Sequence, residues 1–158
     1  MMRVLKARPL SQVRLATFED IEAIKQLDLL CRLSVWSDGV YKSLMLHDTC
    51  EVVVYVDKEG VVGFCAGRFV KPEFEILKIG VRPDKQGCGV GTAMLKEVLD
   101  RAAGIGCQEC FLEVRWSNER AISFYHKEGF EMIGVRRKYY RDPVEDARVM
   151  RKTLGKKP

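Results

Sequence analysis

Three glycines at positions 87, 89 and 91 stand between an apolar segment and a segment with helical periodicity. The apolar residues from Ile76 to Val81 predict a buried strand that Pro83 ends, and the spacing that follows predicts a helix at about 89–103. A glycine-rich turn between a strand and a helix presents backbone N–H groups and the positive end of the helix dipole to an anion. These residues therefore predict a phosphate-binding loop.

The spacing within the loop limits the kind of phosphate site. A Walker loop needs a lysine before its hydroxyl residue, but Gly91 is followed directly by Thr92. A dinucleotide-binding loop needs the spacing Gly-x-Gly-x-x-Gly, whereas the glycines here are spaced Gly-x-Gly-x-Gly. Residues 86–91 instead match the pattern Gln/Arg-x-x-Gly-x-Gly/Ala. On these residues alone, a glycine-rich turn without a ligand is the alternative.

The elements that must position this loop follow the order β-α-α-β-β-β-α-β-α-β-β. Alternation of strands and helices in the centre of the chain predicts a mixed sheet. The first helix begins at Thr17, with Asp20 at the capping-box position. The predicted strands are 13–16, 51–56, 61–70, 75–81, 110–114, 130–135 and 147–152, the other helices are 40–47, 89–103 and 117–127, and residues 136–145 are predicted as a polar, aromatic loop.

Composition predicts a soluble globular protein of one domain over residues 1–158. Of its residues, 47% are hydrophobic and 31% are charged, which is typical of that class. No apolar run approaches the ~20 residues of a membrane span, and the basic N-terminus lacks the apolar core of a signal peptide. We therefore expect a cytoplasmic protein without a membrane partner.

Six cysteines and a net charge of +5 suggest two other kinds of site, a metal or redox site and a surface that binds anions. Cys107 and Cys110 form a Cys-x-x-Cys pair, but a zinc site needs a second pair or two spaced histidines. We expect reduced thiols and no metal site, with metal or redox chemistry at this pair as the alternative. The basic C-terminal end, including Lys156 and Lys157, is either a solvated face or attracts an anionic cofactor, an acidic peptide or ribosomal RNA. No sequence-specific nucleic-acid partner is expected.

Several stretches resemble the GNAT superfamily of acetyltransferases. The loop 86–91, preceded by Ile-Gly-Val-Arg-Pro at 79–83, resembles the pyrophosphate-binding loop of that superfamily. Residues 112–130 carry Leu-Glu-Val-Arg-x-Ser-Asn, Ala-Ile, Phe-Tyr and Gly-Phe, a signature similar to that of N-terminal acetyltransferases. The residues Arg-Arg-Lys-Tyr-Tyr at 136–140 and Glu-Asp-Ala at 145–147 resemble the ending of RimI-type ribosomal-protein alanine acetyltransferases and their archaeal relatives. The resemblance is dense over residues 75–150.

The resemblance implies a GNAT fold of the α/β class, with a mixed, mostly antiparallel sheet of about seven strands and helices on both faces. It also implies acetyl-CoA as the cofactor. Arg82 and Lys85 could attract the adenosine phosphate, or they are ordinary surface charges. The residues expected at the cofactor are strand and loop backbone groups with two residues near the thioester, namely Ile79, Val81, Gln86, Gly87, Cys88, Gly89, Val90, Gly91, Thr92, Asn118 and Tyr125.

The resemblance implies Glu113 as the general base and Tyr125 as the acid. An α-amine has a pKa near ~8, so roughly a tenth is neutral at pH 7, whereas a lysine amine near ~10.4 is almost wholly protonated. An N-terminal amine therefore needs only a modest base. Three alternatives are open: an ion pair of Glu113 with Arg115, Tyr125 packed on the inner face of its helix, and Glu75 as a competing base.

The resemblance places Tyr139 and Tyr140 over the first residues of a peptide substrate, and packing of their rings in the core is the alternative. The segment 32–41, with Trp36 and Tyr41, would form the opposite wall of the substrate site. The expected activity is acetylation of the α-amine of a protein or peptide by direct transfer in a ternary complex, with a ribosomal protein as one candidate substrate. The alternatives are a lysine or small-amine acetyltransferase and a non-catalytic, basic, ribosome-associated module.

Overall fold

The computed structural model describes residues 12–155. Outside this range lie Lys156 and Lys157 of the basic C-terminal end. The N-terminal residues on which the signal-peptide expectation rests also lie outside it. Within it, no helix combines the length and the apolar character needed to cross a bilayer.

Seven strands form one mixed sheet, as predicted from the resemblance. Their order is β1-β2-β3-β4-β5-β7-β6. The pairs β1–β2, β5–β7 and β6–β7 are antiparallel, and β4–β5 is parallel. The bounds of the strands and of the four α-helices described are β1 Gln12–Leu15, α1 Ile21–Leu30, α2 Asp38–Leu46, β2 Cys50–Asp57, β3 Gly60–Val70, β4 Glu73–Val81, α3 Val90–Gly104, β5 Glu109–Arg115, α4 Glu119–Lys127, β6 Glu131–Arg141 and β7 Val144–Thr153.

One compact unit combines the chain up to Ala66 with residues Ile79–Glu97. Its core contains Ile21, Ile24 and Leu27 of α1, which recur at helical spacing and are nearly or wholly buried. They cluster with Val54 and other apolar residues of β2 and β3. Full burial of each such side chain stabilises the fold by about 1.5–3 kcal/mol.

The start of the first helix is held by a buried carboxylate. A 3-10 turn at Phe18–Asp20 precedes α1, as the predicted cap at Thr17 requires. The Asp20 carboxylate accepts a hydrogen bond from the Thr17 N–H group at 2.7 Å. The guanidinium of Arg14 donates to both oxygens of Asp20 at 2.7 and 3.0 Å. The pKa of Asp20 is therefore lowered, chiefly by the hydrogen bond from Arg14.

The other compact unit contains Gly67–Lys78 and the chain from Val98 onwards. Alternate residues of β5 are buried in its core, as expected for a strand with one face on the core: Cys110, Leu112 and Val114. Phe130 and Met150 are also buried there. This alternation places Glu113 on the opposite face of β5 from those three core residues.

The prediction of a loop at 136–145 is wrong, because these residues belong to a long hairpin of β6 and β7. The strand β6 runs to Arg141 and β7 begins at Val144. Nearly every residue of β6 is exposed, so the strand lacks the apolar alternation that predicts strands from sequence. Its pairing is also irregular: Arg136 lies opposite Ala147, but Tyr140 lies opposite Glu145.

Candidate active site

The predicted phosphate loop links β4 to α3. A 3-10 turn at Pro83–Lys85 follows the strand, and α3 begins at Val90. Gly87 and Gly89 have φ angles of +77° and +88°, a region that residues with a Cβ atom avoid. A Cβ atom added at either glycine would meet nothing within 4 Å. The conformation therefore requires glycine, and the space beside the loop is open.

The start of α3 offers donors for an anion. The Ala93 N–H group donates to the Gly89 carbonyl at 3.0 Å. The N–H groups of Val90 and Gly91 precede that bond and, as at any helix start, have no acceptor inside the helix. Together with the open space at Gly89, they fit a diphosphate of acetyl-CoA.

Two backbone groups near the loop are already engaged within the protein. The Gln86 side chain donates to the Val81 carbonyl at 3.0 Å, and the Cys31 thiol donates to the same oxygen at 3.1 Å. The Gln86 N–H group bonds to the Pro83 carbonyl at 3.4 Å. The side chain of Gln86 thus ties the loop to the end of β4.

Arg82 and Lys85 belong to a surface ion-pair network. Arg82 contacts Asp84 at 2.6 Å and Glu59 at 3.2 Å, and Lys85 contacts Glu59 and, at 3.4 Å, Asp57. The pKa of Glu59 is lowered, chiefly because Lys85 donates a hydrogen bond to it. These partners favour the interpretation of both cations as ordinary surface charges.

Glu113 lies between two side chains of β6. The Arg136 guanidinium donates to Glu113 Oε1 at 2.7 Å. Interaction of the Tyr139 hydroxyl with the same carboxylate is the main reason that the pKa of Tyr139 is raised. The guanidinium of Arg136 stands 4.4 Å from the centre of the Tyr139 ring. Glu113, Arg136 and Tyr139 therefore form one cluster of charged and hydrogen-bonding groups.

The alternative partner of Glu113, Arg115, is engaged elsewhere. Arg115 contacts Glu145 at 3.3 Å and stands 4.3 Å from the centre of the Tyr140 ring. Glu145 also accepts a hydrogen bond from the Ser117 N–H group at 2.6 Å. Burial raises the pKa of Tyr140 to about 12. The ion pair of Glu113 is thus with Arg136 and not with its neighbour on the strand.

The competing base, Glu75, is also paired with an arginine. Arg68 donates a hydrogen bond to the Glu75 carboxylate, and both side chains are partly exposed. The charge of Glu75 contributes to the raised pKa values of Arg136 and Tyr139, so its carboxylate lies close enough to act on that cluster. Pairing with arginine therefore does not distinguish Glu75 from Glu113.

Tyr125 and Asn118 have local structural roles as well as predicted ones. Tyr125 is 5% exposed, and its ring packs edge-on against Phe124 and Phe130 at 5.3 and 5.6 Å between centres. Asn118 is the N-cap of α4, where its side chain accepts from the Ala121 N–H group at 3.2 Å. The packing predicted as the alternative for Tyr125 is present, and it fixes the direction of the phenol ring.

Tyr41 lies in the core and not on a substrate wall. Its exposure is 0%, its hydroxyl donates to Asp28 Oδ2 at 2.6 Å, and its ring meets Phe64 edge-on. Burial and the bond to Asp28 raise its pKa. This position argues against direct contact with a substrate. Trp36 is partly exposed and packs on Tyr41 at 5.5 Å between ring centres, so Trp36 is the better candidate for such a wall.

Sequence reasoning missed two residues of the site, Arg136 and Arg68. Arg136 had a signal, since it opens the Arg-x-x-Tyr-Tyr stretch that carries part of the resemblance. Its pairing with Glu113, 23 positions earlier, had none, because that contact depends on the order of β5, β7 and β6. Arg68 had no distinguishing signal.

Comparison with known proteins identifies the family to which the chain belongs. The Acetyltransferase (GNAT) family matches residues 21–130. The N-alpha-acetyltransferase RimI of Mycobacterium tuberculosis is 43% identical over 89 residues, which are 56% of this chain and 54% of that protein. This chain thus matches about half the length of that relative.

Two further matches extend over most of the chain. The [ribosomal protein bS18]-alanine N-acetyltransferase of Haemophilus influenzae is 30% identical over 134 residues, or 85% of this chain and 88% of that protein. The crystal structure of the ribosomal-protein-S18-alanine N-acetyltransferase from Escherichia coli superposes with a TM-score of 0.83 at 26% identity, covering 94% of this chain and 96% of that one. With its seven-stranded mixed sheet, this chain belongs to the GNAT family of acetyltransferases.

Proposed function

We propose that this chain is an N-terminal protein acetyltransferase, which transfers the acetyl group of acetyl-CoA to the α-amine of a protein or peptide. The observation that carries the proposal is the match over 85% of the chain to a relative named as an alanine N-acetyltransferase of ribosomal protein bS18. The cluster of Glu113, Arg136 and Tyr139 supports it, because it supplies a carboxylate base beside hydrogen-bonding groups for a peptide.

The residues of the loop would hold the cofactor by its diphosphate. When bound, acetyl-CoA supplies an activated acetyl thioester. The donors proposed for the diphosphate are the loop and helix-start N–H groups, including those of Val90 and Gly91, because an anion is stabilised by amides and by the positive end of a helix. Gly87 and Gly89 leave room for it.

Glu113 is proposed to accept the proton that the attacking amine loses, directly or through water. The side chain of Glu113 is 18% exposed, so water can reach it. An α-amine near pKa ~8 demands little of such a base. A protonated amine near Glu113 would compete with the Arg136 guanidinium for the same carboxylate. A substrate whose amine is partly neutral is therefore favoured.

Tyr125 is proposed to stabilise negative charge on the departing sulfur. A phenol near pKa ~10 is a weaker acid than a thiol near ~8.5, so full proton transfer to the thiolate is uphill by about 2 kcal/mol. A hydrogen bond from the hydroxyl to the developing thiolate is sufficient. Packing of the ring against Phe124 and Phe130 would hold that hydroxyl in one direction.

Substrate recognition is proposed for Tyr139, Tyr140 and Trp36. Tyr139 and Tyr140 meet edge-on at 5.1 Å between ring centres and carry hydroxyls that can bond to peptide backbone groups. We also propose that residues 1–158 form a single GNAT domain that acts in the cytoplasm, with the N-terminus of a ribosomal protein among its substrates.

A mass-spectrometric screen tests the proposed reaction. Purified protein and acetyl-CoA are incubated with peptides that differ in their first two residues, including N-terminal peptides of ribosomal protein S18. Each peptide contains an internal lysine and has a matched control with a blocked N-terminus. Acetylation should occur on the α-amine and disappear in the blocked controls.

The outcomes of that screen separate the alternatives. Acetylation of the internal lysine in blocked peptides, or preferential acetylation of free polyamines, would show a lysine or small-amine acetyltransferase. Tight binding of ribosomes or RNA without any acetyl-CoA turnover would show a non-catalytic module. Either result would overturn the proposed function.

A further inference from the structure

We propose that Asp146 is a positioning residue for acetyl transfer, because it fixes a bulge in β6 that brings Tyr139 to the Glu113 carboxylate beside Arg136. The inference rests on the proposed function for its catalytic consequence. Its structural part concerns only the residues of the β5, β6 and β7 strands, so it can be tested without any turnover.

The bulge includes Tyr139 and ends directly before Tyr140. Arg136 pairs with Ala147, and Tyr140 pairs with Glu145. Three residues of β6, 137–139, therefore lie opposite one residue of β7, Asp146. Such an excess bends a strand and changes which way its side chains point.

The bulge decides which residues can share a face. In a regular strand, side chains alternate between the two faces, so residues 136 and 139 would point in opposite directions. Here the guanidinium of Arg136 bonds to Glu113 and also covers the Tyr139 ring at 4.4 Å, so Arg136 and Tyr139 share a face. The cluster at Glu113 therefore depends on the extra residues in β6.

The bulge carries a backbone strain at Lys138. This residue has a φ angle of +50°, in the left-handed region that is unfavourable for a residue with a Cβ atom. Such a conformation persists only where the surroundings hold it. A partner for the Lys138 backbone is therefore required.

Asp146 supplies that partner. Its Oδ1 atom accepts a hydrogen bond from the Lys138 N–H group at 2.8 Å. A carboxylate acceptor makes this bond stronger than one between neutral groups. The Asp146 carbonyl also accepts from the Trp116 N–H group at 3.0 Å, directly after the end of β5. Asp146 thus connects the bulge to the strand that carries Glu113.

Four variants test the role of this bond. Asp146→Ala removes the acceptor, and β6 is expected to relax towards regular alternation and withdraw Tyr139 from Glu113. Asp146→Asn keeps an amide oxygen that can accept from Lys138 N–H. Asp146→Ala combined with Lys138→Gly removes the acceptor but also the strain, since glycine adopts a positive φ angle without cost. Lys138→Gly alone is the matched control.

The first measurement is the titration of the Tyr139 ring by NMR of protein labelled at the tyrosine Cζ carbon, with Tyr139→Phe to assign the signal. The interaction with Glu113 raises the pKa of Tyr139 in the native protein. In Asp146→Ala this pKa should fall towards its ordinary value of about 10, and in Asp146→Asn and in the double variant it should stay raised. An unchanged titration in Asp146→Ala would overturn the proposal, whatever the activity.

The second measurement is steady-state acetylation of the best peptide from the screen. Misplacement of a group by about 1 Å can lower a rate by up to about 100-fold, so kcat of Asp146→Ala should fall about 10- to 100-fold. The KM for acetyl-CoA and the melting temperature should hardly change, and kcat should recover in Asp146→Asn. A fall in kcat that Asp146→Asn shares in full would contradict the role of the hydrogen bond.

The two measurements distinguish the failure of this inference from the failure of the proposed function. If the native protein acetylates no peptide α-amine, the proposed function fails, and the Tyr139 titration still decides whether Asp146 positions that residue. If the native protein is active but Tyr139 titrates identically in all variants, the positioning role fails alone.

Discussion

Glu113 is paired with the guanidinium of Arg136 before any substrate arrives, and the Tyr139 ring packs against the same guanidinium. The Arg136 side chain is 55% exposed, so it can move when an incoming amine approaches the same carboxylate. The carboxylate would then be available for the proposed proton transfer from a neutral amine.

Glu113→Gln should lower kcat more than it raises KM. General acid–base contributions are about 10²–10⁴-fold, and the low pKa of an α-amine places this one near the lower end. The loss should shrink as the pH rises from 6 to 9, since more amine is then neutral without a base. Glu75→Gln is the matched control, and a pH–rate profile of both measures the difference. Full activity in Glu113→Gln with none in Glu75→Gln would identify Glu75 as the base.

Tyr41→Phe should lower stability without weakening peptide binding. The Tyr41 hydroxyl donates to buried Asp28 at 2.6 Å, and removal of one partner from a buried polar group costs about 1–3 kcal/mol. Urea unfolding should show that loss, while the KM for peptide stays unchanged. A higher KM with unchanged stability would instead place Tyr41 at the substrate.

Cys88→Ala should retain activity, although an exposed thiol in the phosphate loop invites a covalent mechanism. In the proposed complex the loop would hold the diphosphate, and the thioester would lie at the far end of the extended pantetheine arm. Iodoacetamide should modify Cys88 in the free protein, and acetyl-CoA should protect it. An acetyl group trapped on Cys88, or parallel double-reciprocal plots that Cys88→Ala abolishes, would contradict direct transfer.

Individual site residues could be predicted only where a motif names them. Glu113 and Tyr125 lie in the stretch that carries the resemblance, so their roles could be proposed from the sequence. Arg115 is two residues from Glu113 and was the natural candidate for its ion pair, yet Glu145 engages it. Arg136 takes that place through strand order, which no local pattern encodes.

At the scale of elements, the proposed role of the phosphate loop in cofactor binding can be tested apart from the catalytic residues. Gly89→Val should weaken acetyl-CoA binding, because a side chain would fill the open space and oppose the φ angle of +88°. Gly60→Val is the matched control: Gly60 has a φ angle of +104°, also with open space around it, in the turn between β2 and β3. Both variants carry backbone strain, so calorimetry should show reduced affinity only in Gly89→Val.

Equal affinity of a folded Gly89→Val variant and the native protein would contradict the assignment of the loop. Equal loss of affinity in Gly60→Val would show that strain, and not the site, is responsible. Circular dichroism of both variants separates either result from unfolding.

Elements with strong local signals were predicted well. The glycines and the apolar spacing placed α3 within a residue of its observed start at Val90. The predicted strands 51–56 and 61–70 likewise leave the turn between β2 and β3 where it is observed. The later half of β6 was wrongly predicted as a loop, since a strand that is exposed on nearly all residues and interrupted by a bulge has no period-2 pattern.

At the scale of the whole molecule, the order of elements predicted a mixed sheet but not which strands lie next to each other in it. The strand β7 lies between β5 and β6, so the last strand of the chain is not the last strand of the sheet. Sequential hairpins are the common arrangement, and sequence alone gave no reason to depart from it. Local patterns therefore predicted seven strands, whereas their mostly antiparallel arrangement was predicted only from the resemblance to the family.

Global stability should depend on pH through Asp20. Its pKa is lowered in the folded protein, chiefly by the hydrogen bond from Arg14, so folding favours the ionised form. This stabilisation is complete above the ordinary pKa of about 3.9 and is lost as the pH falls through the lower folded value. Asp20→Asn should cost about 1.5–3 kcal/mol at pH 7, and the difference from the native protein should shrink towards pH 2.

Asp38→Asn is the control for that measurement. Asp38 pairs with Lys25 at 2.6 Å, but its side chain is 56% exposed, and such surface pairs contribute little. Urea unfolding at several pH values compares the three proteins. A difference for Asp20→Asn that is constant with pH would show that its carboxylate does not respond to Arg14 as described.

The bulge in β6 has a consequence for the behaviour of the protein in solution. This strand lies at the edge of the sheet and exposes Met132, Ile133 and Val135. A regular β6 would therefore present unpaired backbone groups and apolar side chains to a strand from another molecule. Natural sheets avoid such growth by irregular edges and by lysine or arginine side chains on them. The bulge at Lys138 and the cations around it therefore make the exposed edge of β6 a poorer template for pairing with another molecule.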